Sequence, residues 1–152
     1  MADIKIRNID SSDVPELSRL LSEQGPQYLA DFHPFAFNEA TLYSVFSTAK
    51  RDCFWVLQMG EQLAGFSMLR GLDAGYERPS FGVFVAQLFM GKGLARAALE
   101  FAVAWCKSNH VSSLMLKVAP ENFRAREIYE RAGFVHIGVC PTSRHNMMEK
   151  KL

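Results

Sequence analysis

Asn122 and Tyr129 stand seven positions apart in a stretch, Phe123 to Ala132, whose pattern predicts a helix. At about 100° per residue they differ by roughly 20° around the axis, so they share one face about two turns apart. Ala125 lies between them on that face and leaves room beside the phenol. A tyrosine with a reference pKa of about 10 stays protonated at neutral pH, ready for a group that departs as an anion. The plainer alternative has Tyr129 packing against a sheet together with Ile128.

A second stretch that could do chemistry is Val83 to Ala95, VFVAQLFMGKGLA. Phe81, Val83, Phe84 and Val85 read as an apolar strand that runs through a glycine turn straight into a helix beginning near Leu94. Gly91 and Gly93 remove two side chains where a backbone must come close to something. A helix start offers unpaired N–H groups and the positive end of its dipole, so the natural ligand is a phosphate or pyrophosphate. The corner is not a Walker loop, because Leu94 follows Gly93 where a Lys-Ser/Thr pair is needed. Nor is it a full dinucleotide fingerprint, since Arg96 stands where a third small residue belongs.

Around these stretches the elements are legible from periodicity. Ile4 and Ile6 alternate with Lys5 and Arg7 as a short half-buried strand. Asp13, Pro15 and Glu16 resemble a capped helix start, followed by an apolar face of Val14, Leu17 and Leu21 that ends at Gly25–Pro26. A second short helix is predicted from Asn38, with Leu42, Val45, Phe46 and Ala49 on one side. Between the two helices, Tyr28 to Phe37 carries Tyr28, Phe32, His33, Pro34, Phe35 and Phe37, either a lid over a pocket or core filler.

Phe54–Met59 and Leu63–Leu69 predict two strands joined at Gly60–Glu61–Gln62, and Gly71 to Pro79 reads as a polar connection with Asp73, Tyr76 and Glu77. The helix after the glycine corner presents Leu94, Ala98, Phe101, Ala102 and Trp105 on one face. Leu114, Leu116 and Val118 mark another strand. Asn122 is the predicted N-cap and Gly133 the stop of the next helix. Phe134–Val139 and Asn146–Lys150 close the chain as strands. The predicted order β-α-α-β-β-β-α-β-α-β-β is that of a mixed α/β (α+β) fold.

The chain of 152 residues fits one domain, 1–152. A net charge of +1 argues against a bulk nucleic-acid binder. No apolar run approaches the roughly 20 residues of a membrane span, and no secretion signal is visible at MADIKIRNID. Cys53, Cys106 and Cys140 are scattered, which fits reduced thiols and a cytoplasmic location. Cys140, near a strand end, reads as inert. The four histidines show no metal-ligand spacing, so no metal is expected.

The segments FVAQLFMGKGLARAALEF and LKVAPENFRAREIYERAGF, in this order, resemble the GNAT superfamily of acyl-CoA-dependent N-acetyltransferases. The resemblance covers nearly the whole chain and implies a splayed central mixed sheet flanked by helices. It implies that the pantetheine arm of acetyl-CoA lies along Val83, Phe84 and Val85, pairing with their backbone as an extra strand. It places the pyrophosphate on the amides of Met90, Gly91, Lys92, Gly93, Leu94 and Ala95. A backbone N–H near Val85 would polarise the thioester carbonyl. Asn122 would touch the cofactor arm, and Tyr129 would protonate the departing thiolate.

Three positions depart from the pattern. Leu88 and Met90 stand where the family often carries polar or basic side chains, which weakens side-chain support of the pyrophosphate. Lys117 stands where superfamily enzymes that acetylate ribosomal-protein N-termini carry a Glu base, which counts against that acceptor class.

The resemblance leaves the acceptor base open. Glu77 and Asp73 precede the strand expected to hold the thioester, with Glu77 favoured, and Tyr76 could orient the amine. His33 is a further candidate, and Phe35 belongs to the same aromatic connection. The expected activity is acetyl transfer from acetyl-CoA to a primary amine of a small molecule, such as an amino sugar or polyamine-like compound. The attack is direct, in a ternary complex. A protein lysine or N-terminal amine acceptor, and a non-catalytic acyl-CoA-binding module, are the alternatives. A homodimer is possible.

Overall fold

A computed structural model describes residues 3–152. Seven strands form one sheet in the order β1-β2-β3-β4-β5-β7-β6. They are β1 (Ile4–Asn8), β2 (Cys53–Met59), β3 (Gln62–Arg70), β4 (Ser80–Val85), β5 (Ser113–Val118), β6 (Val135–Val139) and β7 (Asn146–Lys151). The helices are α1 (Val14–Glu23), α2 (Glu39–Thr48), α3 (Leu94–Ser108) and α4 (Phe123–Arg131). Element order and type follow the sequence pattern, and a 3₁₀ turn at Gln87–Phe89 interrupts the expected direct run from β4 to the glycine corner.

Strand alternation sends large side chains to both faces of the sheet. On one face Phe54, Phe66 and Phe84 meet the α1–α2 layer, where Phe46 lies 5.0 Å from Phe54 between ring centroids. On the other, Trp55 packs edge-on against Phe101 and Trp105 of α3, at 5.2 and 6.2 Å. The apolar stripe of α3 is rotated from the expected one. Leu94, Ala98, Leu99, Ala102 and Cys106 are buried, whereas Phe101 stays 37% exposed because it covers Trp55 at the rim.

The start of α1 also differs in detail. The capping box lies at Asp10, whose carboxylate accepts from the Ser12 amide while Asp13 accepts from the Asp10 amide. Asp13 makes no cap bond to α1 itself. Its two oxygens instead face the Arg7 guanidinium at 2.8 Å each, tying β1 to the helix entry. Asp13 has helical φ and ψ of −79° and −18°, not the extended backbone from which a side chain caps the helix that follows.

The parting of two central strands shapes the cleft. β4 and β5 run parallel but pair only at Ser80–Met115 and Phe81–Leu116. Beyond those pairs the strands splay, and Gly82–Val85 has a partner only on the β3 side.

Candidate active site

The splay leaves a strand edge without a ladder in the middle of a sheet. The Ala86 amide donates to the Ala64 carbonyl on the β3 side, and the Pro79 carbonyl accepts from Met115 on the β5 side. Amide direction alternates along a strand, so the polar backbone groups of Val83 and Val85 face the opening and those of Phe84 face β3. The Phe84 side chain joins the aromatic core, with ring centroids 6.1 Å from Phe66. Of the three residues expected to offer their backbone, two therefore do so. The Val85 carbonyl already accepts from the Tyr28 hydroxyl.

At the end of this edge lies the glycine corner. Gly91 and Gly93 hold φ of +77° and +86°, a left-handed conformation that costs a side-chain-bearing residue about 1–2 kcal/mol. α3 makes its first bond from the Ala97 amide to the Gly93 carbonyl. Among the described residues, the amides of Gly91, Lys92, Gly93, Leu94, Ala95 and Arg96 have no protein acceptor. The Met90 amide differs from expectation, because it donates to Gln87 and closes the 3₁₀ turn. Lys92 is exposed and its side chain lines no cavity.

The sequence reading missed Arg124, whose guanidinium would stand 3.1 Å from a Cβ placed on Gly91. It adds a positive charge over the corner where Leu88, 79% exposed, and Met90 bring none. The R in NFRAR was the available signal.

Two adjoining cavities follow the β4 edge. The first, of about 350 Å³, runs from Val83 and Val85 to the glycine corner, with Asn122, Arg124, Ala125 and Tyr129 on its α4 wall. The second, of about 260 Å³, opens between β4 and β5 and shares Val83, Val85, Asn122, Ala125 and Tyr129 with the first. Asn122 caps α4 through its carbonyl oxygen, 3.2 Å from the Ala125 amide, which leaves its side-chain N–H groups to the cavity. Tyr129 is 9% exposed, and its hydroxyl bonds to none of the described residues. Burial pushes its pKa up to about 12.

The aromatic connection divides its labour. Tyr28, Leu29, Asp31 and Phe32 line the second cavity. Phe35 and Phe37 are filler, with Phe35 among Phe46, Phe54 and Phe66 at 6.2 Å and beneath Arg70.

The expected acceptor residues lie elsewhere. Glu77 and Tyr76 are exposed and line neither cavity. Asp73 accepts from the amides of Lys50, Arg51 and Asp52, which hold its carboxyl below the usual range and make it a loop staple. His33 is exposed, and Phe35 belongs to the core. The physical reason is direction. Asp73, Tyr76 and Glu77 lie in the loop before the first residue of β4, whereas the sheet opens toward the other end of that strand. The ionisable side chains Asp31, Lys117 and His145 line the second cavity.

Cys140 departs from an ordinary thiol. The Ser143 hydroxyl and amide, with those of Thr142, pull its pKa down to about 6. It is 5% exposed and lines neither cavity.

Residues 16–134 match the family model described as the acetyltransferase (GNAT) family. The chain belongs to the GNAT acetyltransferase family. Solved GNAT-type structures repeat its fold across nearly the whole length. The PaiA N-acetyltransferase of Thermoplasma acidophilum, in complex with coenzyme A, superposes with a TM-score of 0.81 at 16% identity, covering 99% of both chains. A chimeric spermidine N-acetyltransferase SpeG from Vibrio cholerae gives 0.78 at 22% identity over 97% of this chain and 95% of that one. Among curated relatives, N-acetylaspartate synthetase of Xenopus tropicalis is 28% identical over 104 residues. That match covers 65% of this chain but 38% of the relative's own length. Among the described residues, no helix of this family member is long and apolar enough to cross a membrane.

Proposed function

We propose that this protein moves an acetyl group from acetyl-CoA to the primary amine of a small molecule, by direct attack with both substrates bound. The observation that carries the reading is the continuity of the free β4 edge, the unpaired amides at α3 and the Tyr129 hydroxyl along one cleft. An extended amide-bearing chain fits the Val83–Val85 edge as an added strand. A diphosphate fits the amides of Gly91 to Ala95, with the dipole of the fifteen-residue α3 and the Arg124 guanidinium behind it.

Acetyl-CoA supplies an activated acyl group on a good leaving sulfur. The chain's own residues do the rest. The Val85 N–H is directed where a thioester carbonyl would develop charge. Asn122 steadies the arm through its free carboxamide N–H groups, and the Tyr129 hydroxyl faces the sulfur. Two reactants held side by side avoid the entropy of a bimolecular encounter. A small acceptor is supported by the modest second cavity and by the small-molecule product that names the Xenopus relative.

Calorimetry with coenzyme A comes first, followed by thiol release from acetyl-CoA across amino acids, polyamines, amino sugars and peptides. Saturable binding that weakens strongly when Gly93 is replaced by Val is the expected result. Absence of binding in the parent protein sinks the donor-site reading. Binding without transfer to any amine or peptide identifies a non-catalytic acyl-CoA-binding module.

A further inference from the structure

The second cavity draws its ionisable groups from three distant parts of the chain. Asp31 comes from the α1–α2 connection, Lys117 from β5 and His145 from the turn before β7. The His145 Nε2 lies 3.5 Å from the Asp31 Oδ1, and the His145 side chain is 19% exposed. Its backbone is clamped, because the His145 carbonyl accepts from the Cys140 amide at 2.8 Å and its amide donates to the Ser143 hydroxyl at 3.3 Å. Tyr129 borders the same cavity, so the imidazole and the phenol address one space.

Lys117 has a different character. It is exposed toward the opening and has no counter-ion among the ion pairs of the described residues. A cavity holding an uncompensated ammonium, and one carboxylate already engaged by a histidine, disfavours a polycation. It suits an amine that carries its own anionic group.

Resting on the acetyl-transfer reading above, we infer that His145, oriented by Asp31, receives the acceptor's proton, and that Lys117 selects acceptors bearing a carboxylate. The neutral amine attacks the thioester carbon. A C–N bond forms, the C–S bond breaks, and its electron pair leaves on sulfur. The proton shed by nitrogen passes to the His145 Nδ1, the ring nitrogen left free while Nε2–H faces Asp31, and from there to solvent, and the sulfur leaves as thiolate or takes a proton from water. Asp31 is a positioning residue: it fixes the imidazole and offsets the charge that the imidazole gains. The other ionisable groups facing His145 are Lys117 on β5, Tyr28 on the connection and Tyr129 on α4. Burial raises the pKa of both phenols, so they are neutral near pH 7.

The test uses the full chain with acetyl-CoA and a panel of aspartate, glutamate, other amino acids, their decarboxylated amines, and spermidine. Carboxylate-bearing amines are expected to lead the panel. His145→Gln is expected to lower kcat/KM for the acceptor about 100- to 1,000-fold and flatten its rise with pH, leaving coenzyme A affinity within about twofold. Asp31→Asn gives a smaller loss, about tenfold, that falls on kcat while the acceptor KM and coenzyme A affinity are nearly kept. Lys117→Met raises KM for the carboxylate amine about tenfold with kcat nearly kept, and leaves KM for the decarboxylated amine unchanged.

Preference for spermidine over every carboxylate amine overturns the inference, as does a His145→Gln enzyme with the parent's rate and pH profile. Transfer to no panel amine while coenzyme A binds also overturns it, leaving the donor site intact. Failure of coenzyme A to bind removes the underlying reading instead.

Discussion

Replacing Tyr129 with Phe isolates what the buried phenol contributes. Its hydroxyl has no partner among the described residues, so its loss leaves no donor or acceptor stranded, and the melting temperature should move by less than about 2 °C. The kinetic effect follows from acidity. Burial holds the phenol at about 12, whereas a thiol of cysteine type lies at about 8.5. Complete proton transfer to the leaving sulfur is then uphill by roughly 3.5 units, on the order of 5 kcal/mol at 1.36 kcal/mol per unit. A hydrogen bond to the developing thiolate is what remains, and charge-assisted bonds are worth about 1.5–3 kcal/mol. The expected loss in kcat is therefore about 10- to 150-fold, with coenzyme A affinity unchanged by calorimetry.

The folded pKa of Tyr129 is raised, so its contribution to stability is complete below about pH 10 and fades as pH climbs toward 12. The parent enzyme should show no falling limb in kcat below pH 10 that vanishes in the variant. Thiol release measured from pH 6 to 10 decides the matter. A loss beyond about 1,000-fold, or a limb near pH 9 that the substitution abolishes, refutes the argument that the phenol keeps its proton. No loss at all removes Tyr129 from the reaction.

Gly91→Ala forces a Cβ into a left-handed residue and to 3.1 Å from the Arg124 guanidinium, so coenzyme A affinity should fall about 5- to 20-fold by calorimetry. Phe66→Ala empties a fully buried site ringed by Phe32, Phe35, Phe46 and Phe84. A cost of about 3–5 kcal/mol is expected, read as a fall in melting temperature of roughly 10 °C. The Arg7 guanidinium holds the Asp13 carboxyl below its usual range, so that pair's stabilisation is present above about pH 4 and is lost as pH falls further. Denaturant melts of Asp13→Asn against the parent should differ by about 1 kcal/mol at pH 7 and converge in acid.

Periodicity and caps exposed the scaffold because they are local. Leu114–Val118 alternates, Asn38 and Asn122 cap, and Gly133 takes a φ of +96° after α4. Asn122, Ala125 and Tyr129 were legible together for the same reason, since one helix sets their spacing. The acceptor side was not. Asp31 and His145 meet only because β7 lies beside β5 and the α1–α2 connection drapes over the cleft, a relation no local pattern encodes. Glu77 lies outside both cavities because nearness in sequence to β4 places it before the strand, away from the end that opens. The cap lies at Asp10 and not Asp13 because a 3₁₀ turn over Ser11–Asp13 precedes α1 and leaves Asp13 with helical φ and ψ.

The gap beside Val83 and Val85 also makes the sheet unfinished. Ladder bonds that an ordinary central strand makes within its own chain are here left for a visitor to supply. Folding and occupancy then become one equilibrium, and a guest at a hundred times its dissociation constant adds about 2.7 kcal/mol to the unfolding free energy. On the proposed function, coenzyme A would raise the melting temperature of this protein through that edge.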